Sequence, residues 1–189
     1  MTLIASSAVF KKMPNGSSGF SLIEVMVAVS LIAVLAGLAA PSFTGLFQRY
    51  RVDAVREDLI ATIQLARAES VRRGQAVMVE KQSSCAVTLS TGENWSCGWI
   101  VYPDLNGNGS RDAVTEPILQ TTDLPNNVTV VKNSATPLNR FTSDRFGQIQ
   151  PIALSFLISP SGGTTANGVI LCKGAGSRVR AIKGATTCS

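Results

Sequence analysis

The feature that most constrains this chain is an apolar run near its N-terminus, residues 20–40. It holds 21 residues and a single charge, Glu24. As an α-helix it would be ~31 Å long, about the thickness of the hydrocarbon core of a bilayer. A carboxylate in such a helix is costly unless it finds a partner, so the sequence predicts a functional role for Glu24.

An ordinary secretory signal fits this run poorly. In such signals an uncharged apolar core precedes a cleavage site of small residues. Here the small residues Ala39 and Ala40 are followed by Pro41, and the core contains Glu24. A cleaved signal and a plain membrane anchor stay open as alternatives.

The start of the run reads Gly19-Phe20-Ser21-Leu22-Ile23-Glu24. It resembles the prepilin cleavage motif of type IV pilins and type II secretion pseudopilins. The resemblance implies that a prepilin peptidase and methyltransferase cuts after Gly19 and methylates the new N-terminal residue, Phe20. It also implies that Pro41 kinks the helix.

Residues 1–19 are then expected to be a leader peptide. Its charges are Lys11 and Lys12, which the positive-inside rule keeps in the cytoplasm. Met13 is an alternative start that would leave a leader without basic residues.

Once the leader is removed, Phe20 carries a positive amine close to Glu24. We expect Glu24 of one subunit to pair with the amine of its neighbour, because each charge is costly alone in an apolar bundle and tolerable when paired. In the alternative interpretation, Glu24 only reaches the lipid headgroups from the helix end.

Beyond Pro41 the helical pattern continues to residue 73. Apolar or small residues recur there at intervals of three and four, which predicts an amphipathic helix. They are Val52, Val55, Leu59, Ile63, Ala66 and Ser70. We therefore predict a transmembrane and assembly helix over residues 20–48 and a soluble head over 49–189, with its helix at 49–74.

From residue 75 to 189 the periodicity changes to two, and turn residues separate short runs rich in Val, Ile, Thr and Phe. The predicted strands are residues 76–81, 86–89, 98–102, 118–121, 128–132, 140–142, 153–158, 168–173 and 178–182. The predicted fold class is α+β: a long N-terminal helix packed on an antiparallel sheet or sandwich.

Two stretches of the head narrow the resemblance to the GspH/FimT family of minor pilins and pseudopilins. One is residues 65–70 followed by a basic pair, and the other is residues 98–102 leading into 104–109. The resemblance implies a single-pass protein of the bacterial inner membrane with a periplasmic head. Its partners would be other pilins or pseudopilins in a type IV pilus or a type II secretion pseudopilus.

Catalysis is not expected. The chain has no His, which removes His-based acid/base and nucleophilic mechanisms, and no phosphate-binding glycine motif is present. We predict no enzyme activity and no cofactor. A simple anchored periplasmic domain is the alternative from another functional class.

The four cysteines are Cys85, Cys97, Cys172 and Cys188. An even number in a head outside the cytoplasm predicts disulfides. Three pairings are possible; we favour Cys85–Cys97 and Cys172–Cys188, because each pair flanks a predicted hairpin or tail. A zinc site competes with this interpretation, but no C-x-x-C is present, and no metal is predicted.

Residues 104–109 resemble the first half of a calcium loop, with side-chain oxygens at alternate positions and Gly109 sixth. The closing acid does not fit, since Thr115 occupies its position and Glu116 comes one residue late. A glycine-rich turn stabilised by Asx side chains is the favoured interpretation.

Residues 167–189 contain four basic side chains and no acid. They are Lys173, Arg178, Arg180 and Lys183. Arg178 and Arg180 should share a face of a strand, and the segment resembles the Gly-Arg-x-Arg signature of FimT-type pilins that bind DNA, with Ser177 before the first Arg. We expect salt-sensitive binding to double-stranded DNA without sequence specificity; a solvated basic edge strand and another anionic partner are the alternatives.

Overall fold

The computed structural model describes residues 19–83, 94–133, 139–162, 165–174 and 178–188, without the side chains of residues 38–42 and 165. The chain divides into two compact units, Met1–Pro41 and Ser42–Ser189. The described elements are α1 (Leu22–Arg73), β1 (Val77–Lys81), β2 (Trp99–Pro103), β3 (Gln120–Thr122), β4 (Val128–Lys132), β5 (Arg140–Ser143), β6 (Ile149–Gln150), β7 (Leu154–Pro160), a 3-10 turn (Thr165–Asn167), β8 (Val169–Lys173) and β9 (Val179–Lys183).

Helix α1 has a defined start and a defined end. At its start the Ser21 Oγ accepts a hydrogen bond of 3.2 Å from the backbone N–H of Glu24, so Ser21 and Glu24 occupy the positions of a capping box. At its end Gly74 has φ +66°, and Gln75 N–H donates to the carbonyl of Ser70, as is usual for a glycine C-cap. The predicted helix over residues 20–73 is therefore confirmed to within two residues.

Helix α1 continues through position 41. The side chain of Pro41 lies outside the described residues, so the kink stays a prediction. In the described part of the chain, no helix is both long enough and apolar enough to cross a membrane.

The strands form two antiparallel sheets. Sheet A has the order β3-β2-β1-β5-β6 and sheet B the order β4-β7-β8-β9. Eight of the nine predicted strands fall within described residues and each is present, whereas residues 86–89 lie outside them. The two-residue strand β6 was not predicted, because alternation cannot be recognised over so short a segment.

The core of the head forms where α1 meets both sheets. The predicted apolar stripe of the helix is buried, and Leu59 is fully inaccessible to solvent. It belongs to one cluster with Val101 of sheet A and Phe156 of sheet B. Trp95 joins the sheets, since its ring lies 5.9 Å from that of Phe141 in sheet A and 5.1 Å from that of Phe156.

Two buried hydrogen bonds fix α1 against sheet A. Trp99 Nε1 donates to Thr62 Oγ1 at 2.9 Å, and the hydroxyl groups of Ser70 and Ser143 are 2.9 Å apart. Because a buried polar group is costly when unpaired, these pairs select one rotation of the helix about its axis. The structure thus confirms the predicted α+β fold.

The last turn of α1 generates a pH prediction. Hydrogen bonds from Arg72 and Arg73 lower the pKa of Glu69 from its usual 4.5 to about 2. The folded pKa is the depressed one, so these pairs stabilise the fold above pH 4.5 and their contribution is lost as the pH falls toward 2. We expect Glu69→Gln to lower the free energy of unfolding by about 0.5–1 kcal/mol at pH 7, and by progressively less in that acid window.

The measurement is thermal unfolding of the full-length protein in a neutral detergent across this pH range. In an Arg72→Ala/Arg73→Ala background, the effect of Glu69→Gln on the melting temperature should not depend on pH. If the melting temperatures of wild type and Glu69→Gln differ by the same amount at every pH, the two arginines do not lower the pKa of Glu69.

Candidate functional site

The N-terminal junction precedes the helix. Gly19 and Phe20 lie in irregular backbone just before α1, and the side chain of Phe20 is 81% exposed. A peptidase needs an extended, accessible backbone rather than a helical one. The predicted cleavage bond between these residues meets this requirement.

The first turns of α1 are apolar on all sides. The exposed large apolar side chains in this stretch are Phe20, Leu22, Ile23, Val25, Met26, Val27, Val29, Leu31, Ile32, Val34 and Leu35. A helix with no polar face is stable only in apolar surroundings. Other apolar surface must therefore cover this stretch when the protein functions.

Glu24 is the only charged residue among residues 20–40, and it is exposed one turn from the helix start. The unpaired N–H groups of that first turn favour a nearby negative charge. Cleavage after Gly19 would add the amine of Phe20 at the same end of the helix. A carboxylate and an amine on apolar helices are the two groups that intersubunit pairing requires.

Two residues of the C-terminal basic segment, Arg180 and Lys183, lie on β9, the edge strand of sheet B, and Arg178 directly precedes it. Arg178 and Arg180 are exposed. Arg180 is the second residue of the strand and pairs with Cys172 in the register. Because Arg178 lies one residue before the strand begins, a shared face for the two guanidinium groups stays a prediction.

The prediction that Lys173 contacts DNA is wrong. Its side chain is only 7% exposed, and its Nζ donates to the carbonyls of Ile149 and Ile152, each at 3.0 Å. Burial, and next the charge of Arg67, lower the pKa of Lys173. Sequence alternation could have found this, since Lys173 shares a strand face with the core residue Leu171.

Lys183 is separated from the two arginines. It lies three residues beyond Arg180 on β9, hence on the other face of the strand. There its Nζ is 3.4 Å from Asp53 of α1, although its side chain is 71% exposed. It borders a cavity of about 230 Å³ that is also lined by Arg49, Val52 and Asn167. The four predicted DNA contacts thus do not form one surface.

A disulfide joins Cys172 to Cys188, the pairing that the sequence favoured. Cys97 is also disulfide-bonded, and its predicted partner, Cys85, lies outside the described residues. The bond links Cys188 to β8. Cys172 lies opposite Arg180 in the β8–β9 register, so the bond is on the same face of sheet B as Arg180. Neither cysteine of this pair is available as a zinc ligand.

The loop at residues 104–109 is closed by its own hydrogen bonds. Asp104 Oδ2 accepts from Gly109 N–H at 3.0 Å, and Asn106 Oδ1 accepts from Asn108 N–H at 2.9 Å. Within the described ranges, no group of three or more His, Cys, Asp or Glu side chains is placed to hold a metal ion.

The sequence did not identify the role of Glu116. This carboxylate is fully buried and accepts from the N–H groups of Leu105 at 2.8 Å and Asp112 at 2.7 Å. It therefore links the backbone at Leu105, near the start of the loop, to the backbone at Asp112, beyond its end. In this part of the chain, Asp104 Oδ1 is a buried oxygen without a hydrogen-bond partner.

Comparison with known families agrees with the fold and with the N-terminal motif. The family model for type II transport protein GspH matches residues 56–187. The model for the prokaryotic N-terminal methylation motif matches residues 14–40. Because the first match covers more than half of the chain, the protein belongs to the GspH family of pilins and pseudopilins.

Solved structures share the fold at low identity. The type IV minor pilin FimU of Pseudomonas aeruginosa has a TM-score of 0.55 and 22% identity, covering 72% of this chain and 91% of FimU. The minor pseudopilin EpsH of Vibrio cholerae has a TM-score of 0.50 and 12% identity, covering 70% and 97%. No curated protein matches significantly.

The closure of the 104–109 loop predicts its response to calcium. Because most of its side-chain oxygens already accept backbone N–H groups, we expect millimolar calcium to leave the melting temperature of the full-length protein unchanged relative to magnesium. The measurement is a calcium titration followed by thermal unfolding. A saturable rise that disappears in Asp104→Asn would instead establish a calcium site.

Proposed function

We propose that this protein is a minor filament subunit that is processed at Gly19 and assembles through Glu24 and the amine of Phe20. The observation that carries the proposal is the matched methylation motif, together with the position of the predicted cleavage bond just before a capped helix start whose large side chains are apolar and exposed. The role is structural rather than catalytic.

The assembly mechanism follows from the cost of isolated charges. Before assembly, the apolar start of α1 anchors the subunit at the inner membrane, with the head in the periplasm. That location is consistent with a disulfide, since disulfides persist in oxidising compartments. Moving the helix into a bundle of like helices keeps its side chains in apolar surroundings. Pairing of Glu24 with a neighbour's amine then removes two unpaired charges together.

This proposal predicts the behaviour of Glu24 variants. We expect Glu24→Gln to be cleaved and methylated normally but to be depleted at least about tenfold from sheared filaments, because loss of one partner of a buried charge pair costs several kcal/mol. Immunoblotting of filament and membrane fractions measures incorporation, and mass spectrometry of the N-terminus measures processing.

The matched control is Glu57→Gln, which neutralises an exposed carboxylate further along the same helix. It should leave incorporation unchanged. Normal incorporation of Glu24→Gln, or an unprocessed Phe20 in the wild-type protein, would refute the assembly mechanism; the unprocessed protein would favour a simple anchored domain.

We further propose that the filament is a type IV pilus whose subunit contacts DNA through Arg178 and Arg180. Both residues are exposed, Arg180 on the edge strand β9 and Arg178 directly before it, and neither has an ion-pair partner among the described residues. Guanidinium groups suit phosphate oxygens. Two phosphate contacts give weak binding per subunit, with a slope of log K against log salt of about −2.

The DNA proposal is tested by gel retardation with full-length protein in a neutral detergent. We expect Arg178→Ala/Arg180→Ala to abolish the shift of double-stranded DNA at low salt, irrespective of its sequence. The control Arg51→Ala/Arg145→Ala removes the same charge from exposed positions elsewhere and should retain binding. If the wild-type protein gives no shift, a secretion pseudopilin without a DNA role becomes the better assignment.

A further inference from the structure

Three aromatic side chains form an exposed stripe on α1 soon after the apolar run ends. They are Phe43, Phe47 and Tyr50, and their exposed fractions are 50%, 58% and 67%. Spacings of four and three residues place them on one side of the helix. A continuous row of exposed aromatic rings marks a contact surface rather than a solvated one.

The head does not cover this aromatic stripe. Helix α1 packs on the head through the side that carries Val52, Val55 and Leu59, all of them buried. Phe43 and Val52 are nine residues apart, which places them on opposite sides of an α-helix. Another surface must therefore cover the aromatic stripe.

Two arginines flank the aromatic stripe. Arg49 and Arg51 are the sequence neighbours of Tyr50, so they project to either side of it. Both are exposed, and neither has an ion-pair partner among the described residues. Residues 25–52 contain no acid. The same stretch of a neighbouring copy of α1 would therefore offer these arginines no carboxylate.

The 3-10 turn of the head holds one of these arginines in place. Asn167 Oδ1 accepts from Arg49 Nε at 3.2 Å, and Asn167 Nδ2 donates to Gln48 Oε1 at 3.3 Å. Arg49 and Lys183 line the same cavity of about 230 Å³. Asp53 is the one acid among the residues that line it, and it lies 3.4 Å from Lys183 Nζ. The cavity therefore extends the positively charged surface beside the stripe.

Aromatic rings beside unpaired cations are typical of helices at the surface of a lipid bilayer. The rings insert at the level of the headgroups, and the long basic side chains reach the phosphates. The aromatic stripe begins at position 43, three residues after the apolar run ends at position 40. The proposed anchoring places that run in the hydrocarbon core, so the residues that follow it meet the headgroups.

We propose that Phe43, Phe47 and Tyr50 insert among the lipid headgroups of the periplasmic leaflet, where Arg49 and Arg51 bind the phosphates of anionic phospholipids. A guanidinium group suits phosphate oxygens because it presents two parallel N–H donors. This inference rests on the proposed anchoring of α1 at the inner membrane. It adds the class of lipid that the subunit recognises before assembly and the residues that recognise it.

The test places a tryptophan in the aromatic stripe and measures which lipids reach it. Full-length Tyr50→Trp is reconstituted into vesicles of phosphatidylcholine and phosphatidylglycerol, and in each sample one of the two lipids carries bromine near the top of its acyl chains. The wild type supplies the background emission, since Trp95 and Trp99 are fully buried. We expect quenching at position 50, with phosphatidylglycerol favoured by about fivefold for each arginine.

The matched control for position is Ala61→Trp, which lies on the same exposed side of α1 three turns further along and should not be quenched. In the Tyr50→Trp protein, Arg49→Gln/Arg51→Gln should abolish the preference for phosphatidylglycerol but keep quenching by phosphatidylcholine. Arg178→Gln/Arg180→Gln removes the same charge elsewhere and should leave the preference unchanged.

Leu31→Trp, in the middle of the apolar run, tests the anchoring separately. Quenching at position 31 without quenching at position 50 would overturn this inference alone, whereas quenching at neither position would overturn the anchoring with it. Equal quenching by the two lipids at position 50 would refute the binding of anionic phosphates. A blue shift at position 50 that grows with the protein-to-lipid ratio, without quenching by lipid, would assign the stripe to a neighbouring helix instead.

Discussion

The burial of one helical stripe against two sheets is the constraint on which the head depends. Neither sheet could cover its own inner face, and the fully buried Leu59 lies among residues of both. Trp95, Phe141 and Phe156 fill the space between the sheets. With α1 fixed in this way, its remaining faces and the sheet edges are free to carry polar chemistry, and the basic strand β9 is one of those edges.

The packing of α1 on the two sheets also determines which charged residues are exposed and which are buried. Arg178 and Arg180 lie on an outer edge and are solvated, so they are available to a partner. Lys173 is enclosed and uses backbone carbonyls instead. Glu24 belongs to a stretch of α1 whose apolar residues are exposed in the single chain, and its charge becomes a problem only when other apolar surface covers it. Each charge therefore has a role set by what surrounds it rather than by its residue type.

The local sequence pattern was sufficient to predict most of the fold. The three- and four-residue spacing of Val55, Leu59 and Ile63 specifies the buried side of α1, and alternation specifies the strands. The pattern failed where distant residues decide the environment. Alternation with Leu171 indicates that Lys173 faces the core, but the carbonyls that accept from its Nζ lie more than twenty positions earlier in the chain, so the local pattern cannot identify them. Glu116 looked like a misplaced metal ligand, because its hydrogen bonds to Leu105 and Asp112 depend on how the loop folds back.

The bond between Cys172 and Cys188 has a mechanical consequence. It encloses β9 in a covalent ring that begins in β8 and ends at the C-terminus. An outermost strand held only by backbone hydrogen bonds can be unzipped one bond at a time by a force on its free end. Here that end is tied to the neighbouring strand, so tension on the tail is transmitted directly into sheet B. In the proposed filament subunit, this closure gives the outermost strand resistance to peeling under load.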